Sequence, residues 1–218
     1  MAEKTESVIL SIAPYRETSC ILRLFTRTRG LVHGIAKGVR KGGKSSVPLD
    51  RGFLLESQLY YKPNRELHTL GSLHVVDFFP AIRSNITRSA IRDIALELYL
   101  KSITQSEPHP ELFELIVSFF ADMEESPPST SQYPPLWRFI HRYCGFMGFG
   151  IDTENGRVDG IDTAVIKFID CAGCADGGAP LNRSKGESLR VTELLLQYCR
   201  RHLDIRTHFN SLEFLRSL

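Results

Sequence analysis

The sequence predicts an α+β protein in which a small β-barrel, residues 1–80, precedes a mainly α-helical domain, residues 81–218. Short alternating or β-branched runs fill the first 80 residues, and no helix-length periodic stretch separates them. After Pro80 the apolar spacing changes from two residues to between three and four. Strands followed by helices indicate two domains rather than a series of βαβ units. A chain of 218 residues is long enough for both domains to bury a core.

Five strands are predicted in the first domain, and turn residues separate them. The second is the clearest, because apolar side chains between Cys20 and Thr26 alternate with Arg23. Pro14 closes the first strand, Gly30 lies in the turn before the third, and Pro63 follows the fourth. Five short strands of this kind are typical of a small closed barrel. The expected strands are residues 7–13, 20–26, 31–36, 52–61 and 67–76.

Five helices are predicted after the domain boundary near residue 80. The first carries an apolar stripe at Ile91, Ile94 and Leu98, which is the spacing of one helix face. Residues 152–190 are rich in Gly and Asp and are expected to form an irregular insert with a single β-branched run at 164–169. The expected helices are residues 86–103, 111–120, 136–146, 192–202 and 211–218.

The charge of the chain is unevenly distributed. The whole sequence has 27 Lys and Arg against 25 Asp and Glu, a net charge of +2. Residues 1–80 hold 12 basic and 7 acidic residues, a net charge of +5, whereas residues 81–150 carry −2 and residues 151–218 carry −1. A local excess of basic residues is the electrostatic signature of a surface that binds phosphates. The barrel is therefore the expected nucleic-acid-binding part.

The basic residues of the barrel concentrate between residues 16 and 51, where Glu17 and Asp50 are the only acids. A face of this kind would neutralise phosphates without reading base sequence, and Tyr15, Tyr60 and Tyr61 could stack on bases. An ordinary solvated surface is an equally simple interpretation of the composition. The candidate DNA-binding residues are Arg16, Arg23, Arg27, Arg29, Lys37, Arg40, Lys41 and Lys44.

The patterns do not favour an enzyme. The segment from Gly38 to Ser45 matches the spacing of a phosphate-binding loop, but Val47-Pro48 follows it where a helix would have to begin. A nucleotidase that uses this loop is therefore a minor alternative. The seven histidines show no metalloprotease spacing, and no serine nucleophile elbow is present. No catalytic residues are predicted.

The five cysteines do not form a complete metal site or a disulfide framework. Cys171 and Cys174 have the Cys-x-x-Cys spacing of two zinc ligands, but no second pair is present. Cys144, Cys199 and His202 could join them only through the fold. The N-terminus lacks the layout of a signal peptide and no apolar run is long enough to span a bilayer, so the reducing cytoplasm is the expected location.

The segment from Ala13 to Arg40 resembles the beginning of bacterial DNA repair proteins of the RecO family. The matching elements are a Tyr-x-Glu-x-Ser that starts at Tyr15, a Leu-x-x-Phe-Thr that starts at Leu22, Gly30, and the Ala-Lys-Gly-x-Arg that ends at Arg40. Weaker similarities follow at residues 53–60, 67–73, 110–115 and 212–215, so the resemblance covers nearly the whole chain.

The resemblance implies an OB-fold barrel followed by a helical domain, and a protein without enzymatic activity. Members of the family bind single- and double-stranded DNA, anneal complementary strands and partner RecR. With RecR they help to load RecA onto DNA coated by single-strand-binding protein, whose acidic C-terminal tail binds the helical domain. The implied location is the bacterial cytoplasm, in association with the nucleoid. An adaptor that contacts DNA only in complex with RecR is the alternative.

The chain departs from the family pattern where many members carry a four-cysteine zinc knuckle. Asp152-Thr-Glu-Asn155 stands where the first cysteine pair is expected, so Cys171 and Cys174 correspond to the second pair only. Zinc is therefore not expected, and no other cofactor is implied. Arg138 and Arg142, basic residues beside apolar helix surface, are the candidate contacts for the tail of single-strand-binding protein.

Overall fold

The computed structural model describes residues 2–39, 48–104, 106–127, 131, 133–151, 165, 169 and 183–218. Contacts divide the chain into two compact units. One comprises Met1–Pro80 and Leu96–Val117, and the other comprises Ala81–Ala95 and Ser118–Leu218. We refer to them as the barrel unit and the helical unit.

The barrel unit contains five strands that close on themselves in the order β1-β2-β3-β5-β4. All neighbours are antiparallel except β3 and β5, which run parallel. A closed five-stranded barrel followed by helices confirms the predicted fold class. The strands are β1 (Ala2–Tyr15), β2 (Ser19–Thr26), β3 (Gly30–Ala36), β4 (Leu54–Tyr60) and β5 (Leu67–Asp77).

Alternation along the strands fills the barrel with aliphatic side chains. Leu22 and Leu24 of β2 point inward and pack with residues of every other strand. Gly34 of β3 is required by this packing, since a Cβ atom there would lie 2.6 Å from Cγ of Leu70. The remaining buried core members include Ile9, Val32, Leu55 and Leu59.

Two helices contribute to the barrel unit, α2 (Ile86–Ser102) and α3 (Pro110–Glu125). Phe25 points out of the barrel, and its ring meets the Tyr99 ring edge-on at 4.9 Å and stacks on Phe113 at 6.4 Å. The Tyr99 hydroxyl donates to the Leu112 carbonyl at 2.6 Å, so its polar atom is satisfied although the side chain is buried. These contacts cover the end of β2 that leads into the β2–β3 turn.

The helical unit is built from the rest of α2 and α3 together with α1 (Pro80–Ser84), α4 (Tyr133–Phe146), α5 (Lys185–His202) and α6 (Asn210–Ser217). Buried Trp137 of α4 donates its indole N–H to Thr192 of α5 at 2.9 Å. Buried Arg88 donates to the carbonyls of Met123, Ser126 and Pro127, and so satisfies acceptors at the end of α3. None of the helices in the described part of the chain combines the length and apolar character needed to cross a bilayer.

Two helices begin earlier than predicted, and strand β1 is longer than the predicted residues 7–13. The insert was expected to be irregular through residue 190, but α5 begins at Lys185, because Ser184 and Glu187 form a capping box that supplies partners for the first free N–H groups. Helix α4 begins at Tyr133 rather than residue 136, because Pro134 and Pro135 occupy first-turn positions that need no N–H donor.

Candidate nucleic-acid interface

The outward surface of β2 and β3 combines basic and apolar side chains. Arg23 of β2 pairs with His33 of β3, and Ile21 pairs with Ile35 further along the hairpin. Directly paired residues project on the same side of a sheet, so these four side chains lie together outside the barrel. All are at least partly exposed, and we call this surface the β2–β3 face. Cross-strand pairing continues on both sides of this face. On β1, Ser11 pairs with Arg23 and Ala13 pairs with Ile21. On β5, Leu67 pairs with His33 and Thr69 pairs with Ile35.

Arg23 lies at the centre of the β2–β3 face. Its side chain is exposed, and it forms no ion pair with any residue that the structure describes. Burial lowers the pKa of half-buried His33, and the charge of Arg23 lowers it further against an opposing effect of Glu66. His33 is therefore neutral at pH 7, and an approaching anion would favour its protonation. The face offers a phosphate one permanent cation and one titratable donor.

Two more candidate cations lie at one end of this face. Cys20 of β2 pairs with Pro14 on one side and with Ala36 on the other. The β1–β2 turn, which contains Arg16, therefore lies at the same end of the barrel as Lys37, which follows β3. Both side chains are exposed. The register thus extends the basic character of the face from its centre to this end.

Two of the three tyrosines proposed to stack on bases belong to different strands, Tyr15 to β1 and Tyr60 to β4. The guanidinium carbon of Arg16 lies 5.2 Å from the centroid of the Tyr15 ring, and Arg16 has a positive φ of 54°. Exposed Tyr60 of β4 pairs with Thr69 of β5, which in turn pairs with Ile35, so Tyr60 lies in the same outward row, two strands away from β3. The other basic candidates of the following segment, Arg40, Lys41 and Lys44, lie outside the described residues.

Arg27, at the opposite end of β2, is engaged by acids of its own unit. Its Nε atom donates to Glu6 at 2.8 Å, and its guanidinium also pairs with Glu114. The guanidinium carbon lies 4.5 Å from the centroid of the Phe113 ring. Because both partners are carboxylates, they neutralise the positive charge of Arg27 in the protein without DNA.

Arg29 is held in the same way. It forms two hydrogen bonds with the Glu3 carboxylate, at 2.8 Å and 2.7 Å. The Arg29 hydrogen bonds lower the pKa of Glu3, and the Glu3 hydrogen bond raises the pKa of Arg29. The Arg29 guanidinium lies 4.1 Å from the centroid of the Tyr61 ring, which also stacks on buried His68 at 4.4 Å. Tyr61 is thus already part of a packed cluster.

The structure therefore divides the predicted basic residues into two groups. Arg16, Arg23 and Lys37 line the β2–β3 face and its turn end, whereas Arg27 and Arg29 lie at the other end in carboxylate pairs. Sequence reasoning missed His33, although the hairpin contains the signal. Because Thr26 and Gly30 flank a three-residue turn, counting outward from the turn places Arg23 opposite His33.

In the helical unit, Arg138 and Arg142 of α4 lie around an acidic neighbour. Burial lowers the pKa of half-buried Arg138, and Asp122 opposes that change. Burial and Glu125 raise the pKa of Asp122, which Arg142 and Arg138 partly offset. Arg142 is exposed. The nearby carboxylates reduce the attraction of this pair for an acidic peptide.

A groove between α5 and α6 is a second basic and apolar surface of the helical unit, which the sequence analysis did not identify. Buried Leu196, Phe209 and Leu212 line it, together with basic residues of both helices. Arg190 and Arg216 share the Glu193 carboxylate, at 3.7 Å and 2.8 Å. The remaining charged or titratable lining residues are Arg200, His208 and Glu213.

Cys171 and Cys174 lie outside the described residues. Within the described part of the chain no group of three or more His, Cys, Asp or Glu side chains is arranged to hold a metal ion. Cys144 and Cys199 are buried side by side. His202 is exposed and packs against Tyr198, with ring centroids 4.2 Å apart.

Family models and known proteins match the chain along most of its length. The model described as "Recombination protein O N terminal" matches residues 1–79, and "Recombination protein O C terminal" matches residues 83–197. Three proteins named DNA repair protein RecO are similar to the chain. That of Geobacter metallireducens is 26% identical over 186 residues, which is 81% of this chain and 74% of the relative. That of Anaeromyxobacter dehalogenans strain 2CP-C is 30% identical over 184 residues, 80% of this chain and 71% of the relative. That of Bartonella tribocorum is 27% identical over 213 residues, 96% of this chain and 83% of the relative.

These matches confirm the resemblance seen in the sequence, in the barrel as well as in the helical part. They agree with the closed barrel that precedes the helices. The chain therefore belongs to the RecO family of bacterial DNA repair proteins and has a role in DNA repair and recombination.

Proposed function

We propose that this protein binds single- and double-stranded DNA through the β2–β3 face and anneals complementary strands without catalytic chemistry or a cofactor. The observation that carries the proposal is the position of Arg23. It is an exposed cation at the centre of an outward surface, with Ile21 and Ile35 beside it. Lys37 and Arg16 extend the basic surface toward one end. An OB-fold commonly binds oligonucleotides on strands 2 and 3.

The physical basis of annealing is charge neutralisation. Two single strands repel each other through their phosphates, and cations on a protein surface lower that repulsion. Arg23, Lys37 and Arg16 supply permanent positive charge, and the apolar side chains between them can contact sugars and base faces. None of these contacts distinguishes one base from another, which suits a protein that must accept any sequence.

The first experiment is annealing of complementary oligonucleotides at increasing salt, without ATP. We expect annealing that weakens steeply with salt and is reduced in an R16Q/R23Q/K37Q variant. Lys4 gives a matched control, because it is an exposed barrel cation that pairs with Glu56 away from the β2–β3 face. Absence of annealing, or equal loss in K4Q and in the triple variant, would contradict the proposal.

We further propose that the protein acts with RecR to help load RecA onto DNA coated by single-strand-binding protein, in association with the bacterial nucleoid in the cytoplasm. An acidic, apolar tail requires an apolar floor beside cations. The α5–α6 groove has both, since Leu196, Phe209 and Arg200 line it. Arg138 and Arg142 are the competing location. Titration of a labelled tail peptide discriminates them, since R200E abolishes binding if the groove is used and R142E if α4 is used.

The adaptor alternative has one specific observation in its favour. Arg27 and Arg29 are compensated by Glu6, Glu114 and Glu3, which leaves fewer available cations than the sequence suggests. If the remaining cations are too few, DNA binding would require RecR. Gel-shift experiments with and without RecR separate the two functions, because direct binding predicts a shifted band for the protein alone.

A further inference from the structure

Cys144 and Cys199 form a buried pair of thiols to which the proposed DNA-binding function assigns no role. Their Sγ atoms are 3.4 Å apart, and both side chains have no exposed surface. Cys144 lies in the last turn of α4 and Cys199 in the last turn of α5. Their separation along the chain is 55 residues, so the fold rather than local sequence brings them together.

A second contact fixes the register of the two helices. Trp137 donates to Thr192 at 2.9 Å, and each of these residues precedes its cysteine by seven positions, which is two helical turns. Because the thiol contact lies seven residues further along both helices, α4 and α5 run parallel. The hydrogen bond of Trp137 and the thiol contact therefore belong to one seam, and the alignment of the thiols is a property of the packed helices.

The ends of both helices are also held close to the thiols. The Cys144 carbonyl accepts from the Phe149 N–H at 2.8 Å, and the Cys199 carbonyl accepts from the Leu203 N–H at 2.8 Å. The Tyr198 hydroxyl is 3.3 Å from the Phe149 carbonyl. Each cysteine thus lies in a closing turn, which is the part of a helix that opens most readily.

We propose that Cys144 and Cys199 are an oxidative modification site that forms an intramolecular disulfide between α4 and α5. A hydroperoxide is the oxidant class: one thiolate attacks the peroxide, releases water or an alcohol, and becomes a sulfenic acid. The second thiol then attacks that sulfur and releases water. The two cysteines lose two hydrogens in total, and one S–S bond replaces two S–H bonds. Bond formation brings the sulfurs about 1.4 Å closer than in the reduced pair.

The site is expected to react slowly and to be stable once oxidised. The hydrogen bond with Cys144 and burial raise the pKa of the Cys199 thiol well above its usual value, so little thiolate is present in the closed state. Oxidation therefore depends on transient opening of the last helical turns. After closure, the packing that aligned the thiols favours the disulfide, which joins the ends of two helices across a long loop.

The test is oxidation of the full-length C171S/C174S variant with hydrogen peroxide, followed by alkylation of free thiols and peptide mapping. Replacing Cys171 and Cys174 removes a competing Cys-x-x-Cys pair, and Cys20 remains as a matched buried thiol. We expect one linked peptide pair that contains Cys144 and Cys199, reversal by dithiothreitol, and a raised Tm of the oxidised protein. Recovery of both cysteines as free thiols, at peroxide doses that oxidise Cys20, would overturn the proposal.

A second measurement also leaves both core cysteines in place. The same protein is equilibrated in glutathione redox buffers, and the fraction of the linked peptide is measured as the oxidised fraction increases. We expect the disulfide to persist in reducing mixtures that keep Cys20 free of glutathione. Mixed disulfides of glutathione with either cysteine, and no internal link, would contradict the alignment of the pair. DNA binding is not part of either readout.

Discussion

Arg23 and Arg29 are indistinguishable in the sequence analysis, but the structure predicts different consequences when each is replaced by Gln. Both substitutions remove one positive charge from the barrel. Arg23 is exposed at the centre of the β2–β3 face, whereas Arg29 is bound to Glu3 by two hydrogen bonds. R29Q is therefore a charge-matched control for R23Q.

The expected magnitudes follow from exposure and distance. An exposed contact between an arginine and a phosphate contributes about 1 kcal/mol, so R23Q should weaken single-stranded DNA binding about fivefold. The slope of log affinity against log salt should fall by about 0.7. Arg29 lies in the turn beyond the end of β2, and at about 3.3 Å per residue that end is already about 10 Å from Arg23. This distance exceeds the electrostatic screening length of about 8 Å at physiological salt. R29Q should therefore change the affinity for DNA at the β2–β3 face less than about twofold.

Fluorescence anisotropy with a labelled oligonucleotide at several salt concentrations measures both quantities. Thermal unfolding of each variant, followed by circular dichroism, verifies that the barrel remains folded. The reasoning is refuted if R29Q reduces the affinity and the salt slope as much as R23Q does, since the carboxylate pair would then not compensate Arg29.

Three further predictions concern other parts of the structure. The pKa of His33 is lowered in the free protein, and a bound phosphate should raise that pKa. DNA affinity should therefore increase as the pH falls from about 7.5 to about 5.5. Fluorescence anisotropy should show that the H33Q variant loses most of this pH dependence. Replacing buried Arg88 by Met leaves three carbonyls without their donor. Unfolding in urea should show a free energy of unfolding that is lower by about 2–4 kcal/mol. The control variant R83M, at an exposed position, should change this free energy little. G34A should cost about 1–3 kcal/mol in the same assay, because its Cβ would overlap Leu70, and an unchanged midpoint would contradict the close approach.

The strands were predictable because their signals are local. Alternation around Arg23 and the turn at Gly30 define the β2–β3 hairpin, and the hairpin in turn defines the β2–β3 face. Strand β1 was predicted too short, since Glu3, Lys4 and Glu6 conceal a strand whose Thr5 and Ser7 are buried. Barrel closure, through β1 with β4 and β3 with β5, depends on pairing between distant segments and leaves no periodic signal.

The candidate site was only partly predictable for the same reason. Composition identified the basic segment, but Arg27 finds its partners 21 and 87 residues away along the chain. Such ion pairs depend on tertiary structure. In contrast, the start of α5 could have been recognised, because Ser184 and Glu187 have the spacing of a capping box. The Gly- and Asp-rich composition of the preceding segment concealed it.

Photo-crosslinking to single-stranded DNA tests the location of the nucleic-acid interface most directly. A photoreactive amino acid replaces Ile35 on the β2–β3 face in one variant and exposed His74, in the part of β5 that pairs with β4, in another. We predict crosslinking from position 35 by the protein alone, without RecR or ATP, and little from position 74. Equal crosslinking from both positions, or crosslinking from position 74 only, would contradict DNA binding on the β2–β3 face.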